Sequence, residues 1–265
     1  MAVGEVKYPE DSDFKVFRNL ADSVDGWTEK YSKNGTKVWA KNSDTSSKMF
    51  KAHKVFSDVS ASVMYDVLHD SDFRVKWDSS MEEGKEMYMV CPNSDLSYYQ
   101  LKVPSPFKNR DYLMQRIWLQ TLDASYIFNH SVFHKNVPER KGVIRAESIL
   151  TGYLVRVNGK GCELTYVSQS DPRGSLPKWI VNKLTQYLAP KMMNRLHKAC
   201  LKYPTWKKKN RPHHKPWLNP EQLSIPRLDM NDILPRQEYT DDDSLDESEV
   251  KEEDVKEDEI NFNDI

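Results

Sequence analysis

The sequence predicts an α+β fold, with one strongly curved antiparallel sheet packed on a long C-terminal helix. Three observations lead there. In residues 176–203, Trp179, Ile180, Leu184, Tyr187, Leu188, Met192, Leu196, Cys200 and Leu201 recur at three- and four-residue spacing, which gives a helix one apolar face. Between residues 85 and 169, strand-like runs are separated by turn signals: Cys91-Pro92-Asn93, Pro104-Ser105-Pro106, Val137-Pro138 and Asn158-Gly159-Lys160-Gly161. Strands joined by short turns pair antiparallel. Finally, helical patterns are few and segregated, and no internal repeat is present.

Taken in order, residues 1–9 read as a flexible end. Residues 10–23 form a short helix with Phe14, Val16, Phe17 and Leu20 on its apolar side. Residues 27–31 and 37–40 make two strands about Lys33-Asn34-Gly35, since Asn-Gly is a strong hairpin signal. Residues 49–56 alternate as a strand. Residues 60–69 form a helix on which Val63, Met64, Val67 and Leu68 share a face and Ser60 caps the start. Strands follow at 85–90, 96–102, 112–120, 126–133, 147–157 and 162–169. The last helix would be roughly 40 Å long, with Pro177 in its first turn and a kink at Pro190, which has no N–H to give. Its other side is basic (Lys178, Lys183, Lys191, Arg195, Lys198, Lys202), and the stretch holds no Asp or Glu. Such a helix suits a core, a membrane surface, or a lid serving both.

The net charge of −1 hides a split. Residues 221–265 carry 17 acidic and 4 basic groups, a net of −13, and the other 220 residues a net of +12. The basic body is drawn to anionic surfaces, and the tail competes for the same patch. The domain plan is a flexible N-terminus at 1–9, a folded body at 10–215 and a disordered acidic tail at 216–265. No run reaches the ~18–20 apolar residues of a membrane span. The start MAVGEVKYPEDSDF lacks a signal-peptide core. Cys91, Cys162 and Cys200 have no paired spacing, so reduced thiols in a cytoplasmic protein are expected.

No Gly-rich phosphate loop, CxxC pair, HExxH or GxSxG occurs. The expectation is no enzyme, no catalytic residue, no cofactor and no metal. His130 and His134, four apart beside Phe128 and Phe133, are read as half-exposed strand residues. Lys207, Lys208, Lys209, Arg211 and Lys215 flank Trp206 and Trp217. That patch alone suggests nucleic acid, but no RNA-binding motif accompanies it, and no nucleic-acid partner is predicted. Arg74 and Asp78 share a face at four-residue spacing. Two readings stand: a surface ion pair worth ~0–1 kcal/mol, or a buried pair in which Asp78 holds a guanidinium that takes a phosphate bidentately.

Three stretches carry a resemblance. Ser105-Pro106-Phe107-Lys108-Asn109-Arg110-Asp111-Tyr112, Gly142-Val143-Ile144-Arg145, and Tyr166-Val167-Ser168-Gln169-Ser170-Asp171-Pro172-Arg173-Gly174-Ser175-Leu176-Pro177-Lys178-Trp179 resemble START lipid-transfer domains, over about residues 15–206. Within the family the chain looks similar to the phosphatidylcholine-transfer-protein group. The resemblance implies a helix-grip fold in which the sheet wraps the C-terminal helix and encloses a tunnel for one lipid. Two acyl tails of ~15 methylenes, at ~0.8 kcal/mol each, need on the order of 25 kcal/mol of shelter from water. By the same resemblance Arg74, Asp78, Tyr99 and Tyr112 hold the headgroup, and the third aromatic position falls near Ile149, an aliphatic residue. An aromatic cage suits a quaternary ammonium; the looser one here implies phosphatidylethanolamine as well as phosphatidylcholine. The helix at 178–203 becomes the lid, with Trp179, Lys183, Leu184, Lys191, Met192 and Arg195 meeting the membrane. A monomeric, cytoplasmic and peripherally membrane-associated carrier is expected. The alternative is a sensor or accessory protein that does not transfer, for a sterol or another apolar ligand. Ser244-Leu245-Asp246-Glu247 resembles the consensus of acid-directed, casein-kinase-2-like kinases, which makes Ser244 a candidate phosphorylation site.

Overall fold

The hairpin of β1 (Thr28–Lys33) and β2 (Thr36–Lys41) turns at Asn34 and Gly35, both at positive φ, 51° and 71°. That pair of left-handed residues matches the twist of the flanking strands. The structure is a computed structural model, and it describes residues 2–42, 48–174, 176–177, 179–180, 189–236 and 247–255. The other strands are β3 (Met49–Phe56), β4 (Met81–Cys91), β5 (Ser94–Leu101), β6 (Asn109–Gln120), β7 (Ala124–Ser131), β8 (Phe133–His134), β9 (Val143–Arg145), β10 (Glu147–Asn158), β11 (Gly161–Asp171) and β12 (Ile233–Leu234). One sheet runs β1-β2-β3-β11-β10-β7-β6-β5-β4 in antiparallel register, and β9 adds parallel to β6. Strand β6 starts at Asn109 rather than at the expected 112, because Asn109, Arg110 and Asp111 pair with Val143, Ile144 and Arg145. Their polarity hides that strand from a hydrophobic pattern.

Alternation along the central strands divides the core between two faces. Ile117, Phe128 and Leu154 point to one face, against Phe14, Phe17 and Ala21 of α1 (Asp11–Asp22). Trp118, Ile127 and Val155 point to the other. There they meet α2 (Ala61–His69), α3 (Ser71–Trp77) and α4 (Ala189–Lys209). Gly152 is the point of closest approach: a Cβ there would stand 2.4 Å from Phe128 Cβ and 2.7 Å from Phe17 Cζ. Ser60 caps α2 by accepting from the Val63 N–H at 3.3 Å, as expected. Helix α3 is a short element that the sequence pattern leaves ambiguous; Asp70 caps it through the Phe73 N–H at 3.1 Å.

Helix α4 buries Met193, Leu196, Ala199, Cys200 and Tyr203, while Leu201 stays 53% exposed. The buried face is thus turned slightly from the one the spacing suggested. The helix also runs past Tyr203 through Pro204 to Lys209. Asp70 explains this extension: its free oxygen accepts from Tyr203 Oη at 2.9 Å and Lys207 Nζ at 2.7 Å, both buried. The expected kink at Pro190 falls at the edge of the described residues.

The basic patch is held by aspartates. Arg211 pairs with Asp72, Lys215 Nζ lies 2.6 Å from Asp66, and Trp217 Nε1 donates to Asp66 at 2.9 Å. Beyond it, Ile233 pairs with His134 in the β8–β12 ladder. At the other end Gly4 N–H donates to Ser131 O at 2.9 Å. His130 and His134 are therefore fully buried rather than half-exposed. Described parts of 1–9 and 216–265 cover them: Glu5 O lies 2.7 Å from His130 Nε2, and Ile233 pairs with His134.

Burial pushes the pKa of His69 well below its usual value and lowers those of His130, His53 and His134. A lowered histidine favours folding above its unfolded pKa of about 6.5, and that contribution is lost as pH falls below it. The urea midpoint is expected to drop between about pH 7 and pH 5.5, by on the order of 1 kcal/mol per buried histidine. A flat midpoint over that window would count against neutral, buried histidines.

Candidate functional site

Arg74 and Asp78 lie at the C-terminal end of α3, beside Tyr99 of β5 and Tyr153 of β10. Arg74 Nε sits 3.0 Å from Asp78 Oδ2, and Tyr99 Oη donates to the same oxygen at 3.2 Å. Ser80 N–H donates to Asp78 Oδ1 at 3.3 Å. Asp78 engages Arg74 through Nε, which leaves the terminal N–H groups turned to other acceptors. The guanidinium stands 5.2 Å from the Tyr99 ring centroid and 5.7 Å from that of Trp77.

The Arg74 side chain keeps 28% of its surface accessible, yet burial is the largest influence on its ionisation. Burial works against its charge, and Tyr153, Tyr99 and Asp78 together outweigh it and raise the pKa. Tyr112 pairs with Tyr99 across β5 and β6, and burial pushes its phenol up to about 12. Arg74, Asp78 and Tyr99 thus meet in one cluster, with Tyr112 next in register.

The expected third aromatic position does not hold a ring. Ile149 falls in a β-bulge between Ser148 and Leu150. The aromatic side chain on β10 beside Arg74 is Tyr153, whose ring lies tilted by 35° against Tyr166 of β11, centroids 5.0 Å apart. Trp77 adds a buried Nε1 with no hydrogen-bond partner among the described residues. Sequence spacing did not single out Trp77, Tyr153 or Tyr166. For Tyr153 the signal was the strand alternation that puts it on the same face as Val155.

A second buried pair lies further along the face. Arg116 grips Asp95 bidentately, at 3.1 and 2.5 Å, with Glu86 at 3.4 Å. Asp95 is wholly buried, and burial raises its pKa although Arg116 opposes the shift. Arg116 also lines a polar cavity of about 190 Å³ with His69, Trp118, Trp217 and the 222–225 segment.

Of the expected lid residues, Trp179 Nε1 donates to Val250 O at 3.0 Å, Met192 packs on the α2–α4 core, and Arg195 reaches Ser80 Oγ at 3.5 Å. Lys191 is half-buried. Lys183, Leu184 and Ser244 lie outside the described residues.

The three stretches that carried the resemblance meet at one corner of the sheet. Asp111 accepts from Arg145 Nε at 2.7 Å, Arg145 Nη2 at 3.1 Å and Tyr98 Oη at 3.0 Å. Arg110 donates to Pro172 O at 3.2 Å, Arg173 O at 3.3 Å and Lys108 O at 2.6 Å. A START domain model matches residues 9–207. The chain belongs to the START domain family. Its sequence is 46% identical to mouse START domain-containing protein 10 over 86% of this chain and 79% of that one. It is 28% identical to human phosphatidylcholine transfer protein over 58% of this chain and 73% of that one. The crystal structure of human STARD10 superposes with a TM-score of 0.83 at 44% identity, covering 88% of this chain and 96% of that one. Human StAR-related lipid transfer protein 5, at 16% identity and a TM-score of 0.67, shares the fold. The START sheet and C-terminal helix are those described above. No described helix is long and apolar enough to cross a membrane.

Proposed function

We propose that this START protein binds one phosphatidylcholine or phosphatidylethanolamine molecule and carries it between membranes as a monomer, working in the cytoplasm and touching membranes peripherally. The observation that carries the reading is the Arg74–Asp78–Tyr99 cluster. Asp78 holds the guanidinium through Nε and Tyr153 hydrogen-bonds it as well; a planar fork of five N–H donors so fixed suits a phosphate, and the rings of Tyr99, Tyr112, Trp77 and Tyr153 supply π-faces for an ammonium. Kinship with a protein named for phosphatidylcholine transfer supports the same ligand class. Tyr hydroxyls and the Asp78 carboxylate also give acceptors to a primary ammonium, which favours accepting ethanolamine beside choline.

Segment 178–203 is the lid in this proposal, with Trp179, Lys183, Leu184, Lys191, Met192 and Arg195 turned to the bilayer during exchange. Donor vesicles carrying labelled phosphatidylcholine or phosphatidylethanolamine test it against unlabelled acceptors. Exchange of both is expected; exchange of choline lipid alone would remove the ethanolamine half. Stoichiometric binding of either lipid without exchange would make the protein a sensor or accessory factor. We further propose that an acid-directed, casein-kinase-2-like kinase modifies Ser244, adding charge to a tail that competes with membranes. Peptide mapping after treatment with such a kinase checks this, and phosphate found only elsewhere would remove Ser244.

A further inference from the structure

Arg110 is a buried guanidinium, 1% exposed, that the START body alone does not neutralise. Its hydrogen-bond partners among the described residues are three backbone carbonyls and one carboxylate, Glu247, 137 positions away. Arg110 Nη2 lies 2.5 Å from Glu247 Oε2 and Nη1 3.4 Å from Oε1, while the Lys108 N–H donates to Oε1 at 2.8 Å. A cation fork and a backbone N–H thus converge on one anion.

Around this fork lies an apolar collar. Phe107 and Ile180 are buried with Val255, and Val103, Leu176, Trp179 and Val250 pack on them. Trp179 also donates to the Val250 carbonyl. Residues 247–255 therefore sit as a plug on the turn before β6 and on the first described residues of the lid. Lifting the plug would expose Phe107, Trp179 and Ile180 together, beside a guanidinium that keeps its backbone carbonyls but has lost its carboxylate.

We propose that Arg110, the Lys108 N–H and the collar of Val103, Phe107, Leu176, Trp179 and Ile180 form a membrane-docking site that takes the phosphate of an anionic phospholipid, and that residues 247–255 are its built-in occupant. This rests on the membrane-contact reading above and adds where the contact is made and what holds it shut. A guanidinium fork fits a phosphate as it fits a carboxylate. A dissolved anion gains nothing from the collar, whereas a bilayer presents phosphate beside hydrocarbon, where aromatic residues settle. The body's excess of positive charge draws it to such a surface. Glu247 acts by position rather than as one more charge in an acidic tail. Being tethered, it competes at high local concentration, so a surface crowded with headgroups is needed to displace it. Docking and lid release then coincide, since Trp179 and Ile180 belong to both.

The test uses the full chain and vesicle flotation, with neutral phosphatidylcholine vesicles and vesicles that also contain phosphatidylserine. Glu247→Gln and Glu249→Gln remove the same charge from the same segment, but Glu249 is exposed. Glu247→Gln is expected to tighten binding to phosphatidylserine vesicles about tenfold, and Glu249→Gln to leave it unchanged. Val255→Asp, which loosens the plug without touching Arg110, is expected to act in the same direction as Glu247→Gln. Equal effects of the two Glu variants would assign the tail to bulk charge and overturn the site. So would Glu247→Gln and Val255→Asp both binding like the wild type. Hydrogen exchange at 247–255 separates ligand sources: release by phosphatidylserine vesicles is expected, and equal release by inorganic phosphate would overturn the membrane assignment. Failure here with lipid exchange intact leaves the transfer reading standing. A protein that neither exchanges lipid nor binds vesicles fails that reading first.

Discussion

Arg74→Ala is expected to give a folded protein that purifies without phospholipid. Arg74 supplies the cluster's cation, and Asp78 does not lose all its partners when it goes: Tyr99 Oη and the Ser80 N–H still donate to it. Arg74 also keeps 28% of its surface accessible, so the cost to folding is about 1–3 kcal/mol, the worth of a hydrogen bond to a charged group. The cost to cargo is larger. Truncating one partner of a desolvated, hydrogen-bonded charge pair costs about 2–5 kcal/mol, which is roughly 30- to several thousandfold in affinity. Arg74→Lys keeps the charge but not the planar fork and should fall between wild type and alanine. Native mass spectrometry reads lipid occupancy, and a thermal melt on the same samples reads folding. An Arg74→Ala protein that still carries one phospholipid per chain would sink the headgroup assignment.

Much of this architecture was legible in the sequence because it rests on periodicity. The Asn34-Gly35 hairpin, the strand at 49–56, the Ser60 cap and the amphipathic C-terminal helix all follow from local pattern, and the structure has them. Polar residues that become structural only through long-range partners were not legible. Lys207 read as part of a loose basic patch, yet it is buried on α4 because Asp70, 137 positions earlier, receives it. His130 read as half-exposed, since nothing in β7 announces that Glu5 O will sit 2.7 Å from its Nε2. In the cluster, four-residue spacing put Arg74 beside Asp78, whereas Tyr153, the ring on β10 beside Arg74, carried no such spacing signal. A bulge shifts the register by one between Ser148 and Leu150, and no local signal marks it. Glu247 was visible as one acid among many; that it answers Arg110 depends on the fold of the whole chain.

Asp111→Ala should be the most destabilising single substitution at the corner where the sheet meets the lid. Asp111 is completely buried and accepts three hydrogen bonds, two from Arg145 and one from Tyr98. Removing it strands a guanidinium whose side chain is 5% exposed, with only Val137 O and Pro138 O, each 3.3 Å away, left to take its protons. Breaking a buried pair this way costs about 3–5 kcal/mol, against a total of about 5–15 kcal/mol for a typical domain. Urea denaturation should show the loss, and a fall of less than about 1 kcal/mol would mean that the corner relaxes and lets water in. The companion is Asp111→Leu with Arg145→Met. Apolar replacement of both partners avoids the stranded charge and should recover much of the loss. If it does, the pair is there to fix geometry more than to add stability. That geometry is specific: Asp111 and Arg145 sit in register on β6 and β9, and the next residue back, Arg110, reaches the Pro172 and Arg173 carbonyls that follow β11. The double variant should then keep its fold but lose control of the lid, releasing bound phospholipid to acceptor vesicles faster than wild type.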